Sequence, residues 1–197
     1  MHRNCPGEDR LLDRGSSMRR SLVPVVLIAC GFVVLPLLHR LFPPERPVPQ
    51  LIVYNPPRPL ADFSFSDGSA QSLTLNRFRG HFLLVNVWAT WCSPCKDEMA
   101  SLNHLALLFT GTDLEVIPIS IDVTGASQVR SFYERFALNR LPIYVDPSKN
   151  VMDALSIVGI PTTLLIDRSG REIGRVTGAA QWDAAESVKR ISEIIGR

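Results

Sequence analysis

The chain has 197 residues, 21 lysines and arginines against 19 acidic residues, and an apolar fraction of 46%. This composition excludes a disordered or fibrous protein and fits one ordinary domain with appendages. The net charge of +2 arises within the first twenty residues, so the rest of the chain has no excess charge that would favour nucleic acid as a partner. Four cysteines are too few for a disulfide-stapled scaffold and favour catalytic, redox or metal chemistry.

Near the N-terminus lies an uncharged, mostly aliphatic stretch, SLVPVVLIACGFVVLPLL, at residues 21–38. It is just long enough to span a bilayer, and its two prolines disfavour a buried helix of a soluble domain. The polar sequence HRLFPPERP follows in place of a signal-peptidase site, so we predict an uncleaved transmembrane signal anchor over residues 21–42. Five arginines within residues 1–20 predict that this segment is cytoplasmic and that the domain lies outside.

Two alternatives bear on this N-terminal region. Met18, followed by two arginines, resembles a natural start, in which case residues 1–17 are a gene-model extension. Residues 27–30, LIAC, resemble a lipoprotein-processing box, which would make Cys30 a lipid attachment site. The apolar run continues well past Cys30, which suits a membrane span better.

A proline-rich segment separates the anchor from the domain. Residues 43–59 contain seven prolines, which favour extended conformations and oppose compact packing. We therefore predict a semi-rigid stalk over residues 43–60 and a folded domain over residues 61–197. The alternative function of the stalk is as a ligand for proline-recognising modules.

The pattern from residue 61 onward predicts a mixed α/β domain. Alternating apolar residues around Asp67-Gly68 predict a hairpin over residues 61–75. Further along, the sequence predicts strands at 82–88, 114–121 and 142–145, helices at 95–109 and 129–136, a helical turn at 151–155, a hairpin at 162–177 and a C-terminal helix over 182–195. This order implies a central mixed sheet with helices on both faces, with Trp88 in the core.

The sequence WCSPC at residues 91–95 carries the chemistry. Cys92 and Cys95 stand at a strand-to-helix junction, where a two-residue spacing lets them close a disulfide across one helical turn. The helix N-terminus stabilises a thiolate at Cys92, and Pro94 suits a first turn that needs no N–H donor. We therefore predict that Cys92 is the attacking thiol and that Cys95, one turn further on, resolves the mixed disulfide.

Other uses of the cysteine pair remain open at this point. A zinc site would need two further ligands, and His81 and His104 do not have a suitable spacing. A purely structural disulfide across two residues would remove little chain entropy. Binding of Cu(I) by the two thiolates, as in a metallochaperone, is a further alternative, although no methionine-rich or histidine-rich segment accompanies the pair. We predict no bound metal and no cofactor other than the redox-active disulfide.

Three motifs together carry a resemblance to a known family: NVWATWCSPCKDEM at 86–99, GIPTT at 159–163 and IDRSG at 166–170. Over residues 60–195 the chain resembles the TlpA/ResA branch of membrane-anchored thioredoxin-like proteins. The resemblance implies a thioredoxin fold with an added N-terminal β-hairpin, single-pass attachment to the bacterial inner membrane and a domain in the periplasm. It also implies a reductant that accepts electrons from a membrane donor of the DsbD/CcdA type and reduces disulfides in apocytochrome c, copper chaperones or oxidase subunits. A disulfide oxidant or isomerase is the alternative direction of the same chemistry.

The resemblance also implies roles for residues around the cysteine pair. Pro161 is expected to be cis and to pack against the disulfide, leaving the backbone of Ile160 to pair with an extended substrate. Ordinary thioredoxins hold a buried carboxylate where this chain has Asn86, so Glu98 is the candidate for proton transfer at Cys95. The predicted catalytic residues are Cys92, Cys95 and Glu98, and the predicted substrate-binding residues are Trp91, Ser93, Pro94, Ile160 and Pro161.

Overall fold

An eight-stranded mixed sheet organises residues 50–196, the part of the chain that the computed structural model describes. The strands are β1 (Ile52–Arg58), β2 (Ser64–Asp67), β3 (Ser72–Thr74), β4 (Phe82–Trp88), β5 (Leu114–Ser120), β6 (Tyr144–Val145), β7 (Thr162–Ile166) and β8 (Glu172–Thr177). The helices are α1 (Ser93–Leu108), α2 (Ala126–Arg135), α3 (Asn150–Ala154) and α4 (Ala185–Ile195), and a 3₁₀ turn spans Leu75–Phe78.

Strand β4 lies at the centre of the sheet, whose order is β1-β8-β7-β4-β5-β6-β2-β3. It runs parallel to β5 and antiparallel to β7, and all seven of its residues are buried. Both faces of this strand are therefore covered, which confirms the prediction made from its continuous apolar run. Trp88 at its end is fully buried against Phe132 and Tyr133 of α2 and belongs to the core, as expected.

The connection from β4 through α1 to β5 positions the reactive cysteines. Parallel neighbours need a crossover that returns the chain to the starting edge of the sheet, and α1 provides it. The N-terminus of α1 consequently lies just beyond the carboxyl end of β4. Strand β7 begins near the same edge because it is antiparallel to β4, with Val87 opposite Thr162.

At one end of the sheet, β2 and β3 form an antiparallel pair that joins the rest through β6. The turn between them is stabilised by Asp67, whose Oδ1 accepts hydrogen bonds from the backbone N–H groups of Ser69 and Gln71. Phe65 packs against Phe78 and Tyr144 behind this pair. Aromatic packing thus fixes β2 against the body of the domain.

At the other end of the sheet, part of the predicted stalk forms a strand. Residues 52–58 pair with β8 as the edge strand β1, so this part of the predicted stalk belongs to the sheet. Proline is tolerated on an edge strand because its missing N–H group need not pair. The ladder is irregular between Val53 and Arg58, and Pro56 and Pro57 lie in that interval.

The C-terminal helix also differs from its prediction. It begins at Ala185, three residues after Trp182, which precedes the helix and is buried. The apolar spacing that placed Trp182 in the helix reflects its burial and not its secondary structure. The other predicted helices and the β7–β8 hairpin are confirmed, with bounds that shift by a few residues.

The predicted cytoplasmic segment (1–20), the transmembrane anchor (21–42) and the first part of the stalk lie outside the described residues. Across residues 50–196, no helix combines the length and the apolar character that crossing a membrane requires.

Candidate active site

The two cysteines of the WCSPC sequence are joined by a disulfide at the start of α1, with their Cα atoms 5.3 Å apart. Cys92 is the N-cap residue, and Cys95 lies in the first turn of the helix. Pro94 stands between them at a position where the helix needs no N–H donor, which explains why proline is accommodated there. The sequence therefore places a redox-active pair where two sulfurs can be bonded without distorting the helix.

The two sulfurs have different surroundings. Cys92 retains 6% of its surface, whereas Cys95 has none. The Sγ of Cys92 accepts a hydrogen bond from the backbone N–H of Cys95 at 3.2 Å, and it occupies the positive end of the helix dipole. Both features favour a thiolate at Cys92, as the prediction that Cys92 is the attacking thiol requires.

The loop before β7 forms the opposite wall of the site. The Ile160–Pro161 peptide is cis, as the resemblance implies, and the carbonyl oxygen of Ile160 lies 3.8 Å from Cys92 Sγ. Pro161 is buried and Ile160 is partly exposed. The partly exposed residue Ile160 therefore lies next to the disulfide.

The predicted substrate-binding residues lie around this opening. Ser93 and Pro94 are exposed on the first turn of α1, and Trp91 is 59% exposed just before it. Val158, which sequence reasoning did not single out, is 99% exposed two residues before Ile160. Exposed apolar side chains on both sides of the disulfide form a surface on which a protein partner could pack. Substrate binding by these residues stays a prediction.

Glu98 lies one turn after Cys95 on α1 and is 1% exposed. Its Oε1 accepts a hydrogen bond from Asn86 Nδ2 of β4 at 2.7 Å. The same Asn86 amide donates to Thr163 Oγ1 of β7 at 2.9 Å. Asn86 thus connects the carboxyl group to the two central strands. Residues three apart on a helix have Cβ atoms about 5–6 Å apart, so Glu98 is a neighbour of Cys95.

Two further donors reach Glu98 from the segment between β8 and α4. Its Oε2 accepts the backbone N–H of Ala180 at 3.0 Å and the indole N–H of Trp182 at 3.1 Å. Sequence reasoning missed both residues. Apolar spacing counts tryptophan only as a hydrophobic residue, and no sequence signal identifies a backbone N–H that lies 82 positions from its acceptor.

Burial governs the proton affinity of this carboxyl group. Desolvation raises the pKa of Glu98 to about 7, although the hydrogen bonds from Ala180, Asn86 and Trp182 act in the opposite direction. A carboxyl group that titrates near neutral pH can both accept and return a proton under ordinary conditions. The structure thus gives Glu98 the property that proton transfer at Cys95 would require.

A second buried carboxylate supports the connection between β4 and α1. Asp122 is fully buried beyond β5 and accepts the backbone N–H and the hydroxyl of Thr90, at 2.9 and 2.8 Å. It also accepts the Ser120 hydroxyl at 2.7 Å. Thr90 precedes Cys92 by two residues, so Asp122 holds the chain immediately before the cysteine pair. This role was not visible in the sequence, where Asp122 is one of several acidic residues after strands.

The histidines considered as zinc ligands lie elsewhere. His81 faces Glu115, with 3.7 Å between His81 Nδ1 and the carboxylate, and His104 contacts Asp183 at 3.0 Å. Within residues 50–196, no group of three or more histidine, cysteine, aspartate or glutamate side chains is arranged to hold a metal ion.

Known proteins resemble this chain in sequence and in fold. Residues 57–171 match the AhpC/TSA family. The chain is 30% identical over 161 residues to the thiol-disulfide oxidoreductase ResA of Geobacillus kaustophilus, covering 82% of this chain and 86% of that protein. It is 33% identical over 117 residues to ResA of Geobacillus thermodenitrificans, covering 59% of this chain and 66% of that protein.

Solved structures resemble the domain as well. A candidate DsbE-type thiol:disulfide interchange protein from Chlorobium tepidum superposes with a TM-score of 0.63 at 20% identity, over 71% of this chain and 97% of that one. StoA from Bacillus subtilis superposes with a TM-score of 0.55 at 19% identity, over 70% and 98%. The mixed sheet therefore has the thioredoxin-like fold that was expected. The chain belongs to the AhpC/TSA family and, within it, to the ResA-type thiol-disulfide oxidoreductases.

Proposed function

We propose that this oxidoreductase is a reductant that acts on disulfides of client proteins outside the cytoplasm. The observation that carries the proposal is the asymmetry of the cysteine pair. Cys92 is the more accessible cysteine, and it lies at a helix N-terminus beside the partly exposed residue Ile160, whereas Cys95 is fully buried. A sulfur that is accessible and stabilised as a thiolate can attack a client, while a buried partner can only resolve the product.

The reaction proceeds in two exchanges. The Cys92 thiolate attacks one sulfur of the client disulfide, forming a mixed disulfide and releasing the other client sulfur as a thiolate. Cys95, once deprotonated, then attacks Cys92 Sγ, which closes the Cys92–Cys95 disulfide and releases the second client thiolate. Two electrons pass from the cysteine pair to the client, and the client ends as a dithiol.

Glu98 accepts the Cys95 proton in the second exchange. Its position one helical turn after Cys95 and its burial support this assignment. A base is needed there because burial in apolar surroundings disfavours the thiolate form of a cysteine. The proton that Glu98 takes up passes to the departing client thiolate, so the carboxylate is regenerated in each cycle.

Client recognition combines backbone pairing and apolar contact. An extended client segment pairs with the backbone at Ile160, beside Cys92, and packs on Trp91 and Val158. Ser93, Pro94 and Pro161 complete the surface around the disulfide. Specificity for one client would then arise from side chains that flank its disulfide.

The N-terminal sequence and the family support a proposal for the cellular setting. The uncharged stretch at 21–38, preceded by five arginines, supports a single-pass anchor over residues 21–42 in the bacterial inner membrane with the domain in the periplasm. The similarity to ResA supports a membrane electron donor of the DsbD/CcdA type, with apocytochrome c, a copper chaperone or an oxidase subunit as client.

Trapping of the mixed disulfide tests the proposal. The Cys95→Ser variant of the full chain, expressed in cells, stops after the first exchange, and we expect clients to be recovered as disulfide-linked adducts of Cys92. Cys92→Ser is the matched control and should trap none. Absence of adducts from Cys95→Ser, when the protein is present and folded, would contradict a role as a protein-disulfide reductant.

A further inference from the structure

The segment that joins β8 to α4 supplies two of the three hydrogen bonds received by the Glu98 carboxyl group. Ala180 donates its backbone N–H and Trp182 its indole N–H, and both donate to Oε2. Asn86, the third donor, reaches Oε1 from β4. Two of the donors are side chains, Asn86 and Trp182. Asn86 lies on a central strand, whereas Trp182 lies outside the central strands.

Burial and hydrogen bonds to α1 hold the Trp182 indole in place. Trp182 is 2% exposed, and its backbone N–H donates to Ser101 Oγ of α1 at 3.2 Å. The Ser101 hydroxyl in turn donates to the carbonyl oxygen of Glu98 at 2.8 Å. Trp182 is therefore bound to the turn of α1 that carries Glu98 through both its backbone and its side chain.

The groups that face the carboxyl group are uncharged. Asn86 of β4 and Trp182, which donate to it, and Thr163 of β7, which contacts Asn86, are neutral at every relevant pH. Cys95, one turn earlier on α1, becomes a titratable neighbour when the disulfide is reduced. On α4, Glu186 and Arg190 line a cavity of about 270 Å³ that Trp182 also borders. Within the described part of the chain, no ion pair involves Glu98, so neutral N–H donors are what stabilise its charge.

We propose that Trp182 is a positioning residue for disulfide exchange, because its indole N–H holds Glu98 in the ionised, proton-accepting form. The inference rests on the base role of Glu98 proposed above. In the resolving step the Cys95 thiol gives its proton to this carboxylate, Cys95 attacks Cys92 Sγ, and the proton then passes to the departing client thiolate. A carboxyl group that is already protonated cannot begin this step.

Burial and hydrogen bonding have opposite effects on the pKa of Glu98, so the loss of one donor should change its protonation near neutral pH. Burial raises the pKa of Glu98 to about 7, and the hydrogen bond from Trp182 is among the interactions that oppose the rise. An N–H donor stabilises the charged carboxylate more than the neutral acid. Loss of the indole N–H should therefore increase the proton affinity of Glu98 by about tenfold.

The Trp182→Phe variant of the full chain tests this assignment, because it keeps an aromatic ring in the core and removes the N–H. We expect the rate at which Cys95 resolves a small mixed disulfide at Cys92 to rise with pH along a curve that is displaced to higher pH and reaches the same plateau. Trp88→Phe is the matched control. Trp88 is also fully buried, but its Nε1 has no hydrogen-bond partner within the described residues, so its pH profile should not move.

A direct titration separates this inference from the proposed function. The carboxyl infrared band of Glu98, assigned by its loss in Glu98→Gln, should titrate at higher pH in Trp182→Phe. An unmoved titration in a folded variant would overturn the role of Trp182. A titration that moves while the rate profile stays fixed would overturn the base role of Glu98. If Trp182→Phe does not fold, benzothienylalanine at position 182 keeps the indole shape without the N–H and carries the same expectations.

Discussion

Glu98 is a carboxyl group held between two opposing effects. Its side chain is almost completely removed from water, which disfavours the charge, while three N–H groups donate to it, which favours the charge. Burial is the larger effect, and the pKa of Glu98 is raised to about 7 from an ordinary value of 4.5. The folded chain therefore retains this proton over a pH range in which the unfolded chain has lost it.

The pH dependence of stability follows from this difference. The raised pKa of Glu98 contributes stability that is fully present below pH 4.5 and is lost as the pH rises through 7. Between these limits the loss is about 3 kcal/mol. We expect the unfolding free energy of the oxidised chain to fall by about this much more than that of Glu98→Gln, as measured by guanidinium titration at pH 4.5 and 8. Parallel pH profiles of the two proteins would show that Glu98 titrates normally.

The two thiols of the reduced chain should differ in reactivity. Cys92 is the more exposed and is stabilised as a thiolate by the N-terminus of α1, whereas Cys95 is fully buried. At neutral pH we expect iodoacetamide to modify Cys92 roughly tenfold faster than Cys95, or more. Peptide mass spectrometry resolves the two sites in the Cys92→Ser and Cys95→Ser variants. Equal rates at both sites would contradict the assignment of attacking and resolving roles.

At the scale of single residues, the sequence predicted the chemistry but only part of its environment. The spacing of Cys92 and Cys95 and their place at a strand–helix junction are local features, and the structure agrees with them. Glu98 was identified because it lies on the same helix. Trp182 and Asp122 were missed because their hydrogen bonds join positions 84 and 32 residues apart, and only the folded sheet brings them together.

Among the elements, the connection between β4 and α1 determines where the attacking sulfur lies. Asp122 accepts two hydrogen bonds from Thr90 in this connection, and Gln128 of α2 donates a third to the Thr90 hydroxyl oxygen at 2.6 Å. These contacts do not involve the disulfide. They should therefore keep Cys92 in place after reduction, when the bond to Cys95 no longer constrains it.

Replacement of Asp122 by asparagine tests this support. Asp122→Asn puts an amide donor next to the donors of Thr90 and Ser120, so we expect a loss of about 1–3 kcal/mol in stability. We also expect a roughly tenfold slower exchange with a small disulfide, because Cys92 is displaced.

Asp146→Asn is the matched control for this prediction. Asp146 is also buried and also accepts a backbone N–H, that of Val151 at 2.7 Å, but it contacts neither Thr90 nor α1. The Asp146→Asn variant should lose about as much stability as Asp122→Asn and should keep the exchange rate of the unchanged protein. An equal loss of rate in both variants would mean that Asp122 has only a general structural role.

The edge strand β1 is the element that composition predicted wrongly. Seven prolines between residues 43 and 59 indicated a stalk, yet residues 52–58 pair with β8. A high proline content disfavours central strands and helices. It does not exclude an edge strand, where one side of the backbone is unpaired. The continuous run in β4, by contrast, was predictable because an apolar segment of that length is buried wherever it lies.

Gly174 provides a test of the β1–β8 pairing. A Cβ atom at this position would lie 3.0 Å from the Ile52 carbonyl oxygen and 3.0 Å from the Leu51 side chain. We therefore expect Gly174→Ala to lower the unfolding free energy by about 1–3 kcal/mol, measured by denaturant titration. Gly159→Ala is the control, because its Cβ meets no atom within 4 Å, and it should be neutral or slightly stabilising. Equal stability of both variants would indicate that β1 does not pack on β8 in solution.

For the molecule as a whole, the fold class was predictable because local patterns and family resemblance agreed. Strands and helices followed one another in an order that allows few sheet arrangements, and the turn residues at 168–170 predicted the β7–β8 hairpin. The order of strands at the two ends of the sheet was not predictable, since β1, β2 and β3 join it through long-range pairing. The cysteine pair lies between these ends, beyond the carboxyl end of the central strand β4.

The central claim is that this chain transfers two electrons as a reductant through Cys92 and Cys95. Its most direct test is the reduction potential of the full chain, measured by equilibration against dithiothreitol and glutathione buffers. We predict a single two-electron transition below about −230 mV, in the range of thioredoxin-like reductants, and no such transition in Cys92→Ser. A potential above about −180 mV, typical of oxidants and isomerases, would contradict the reductive role.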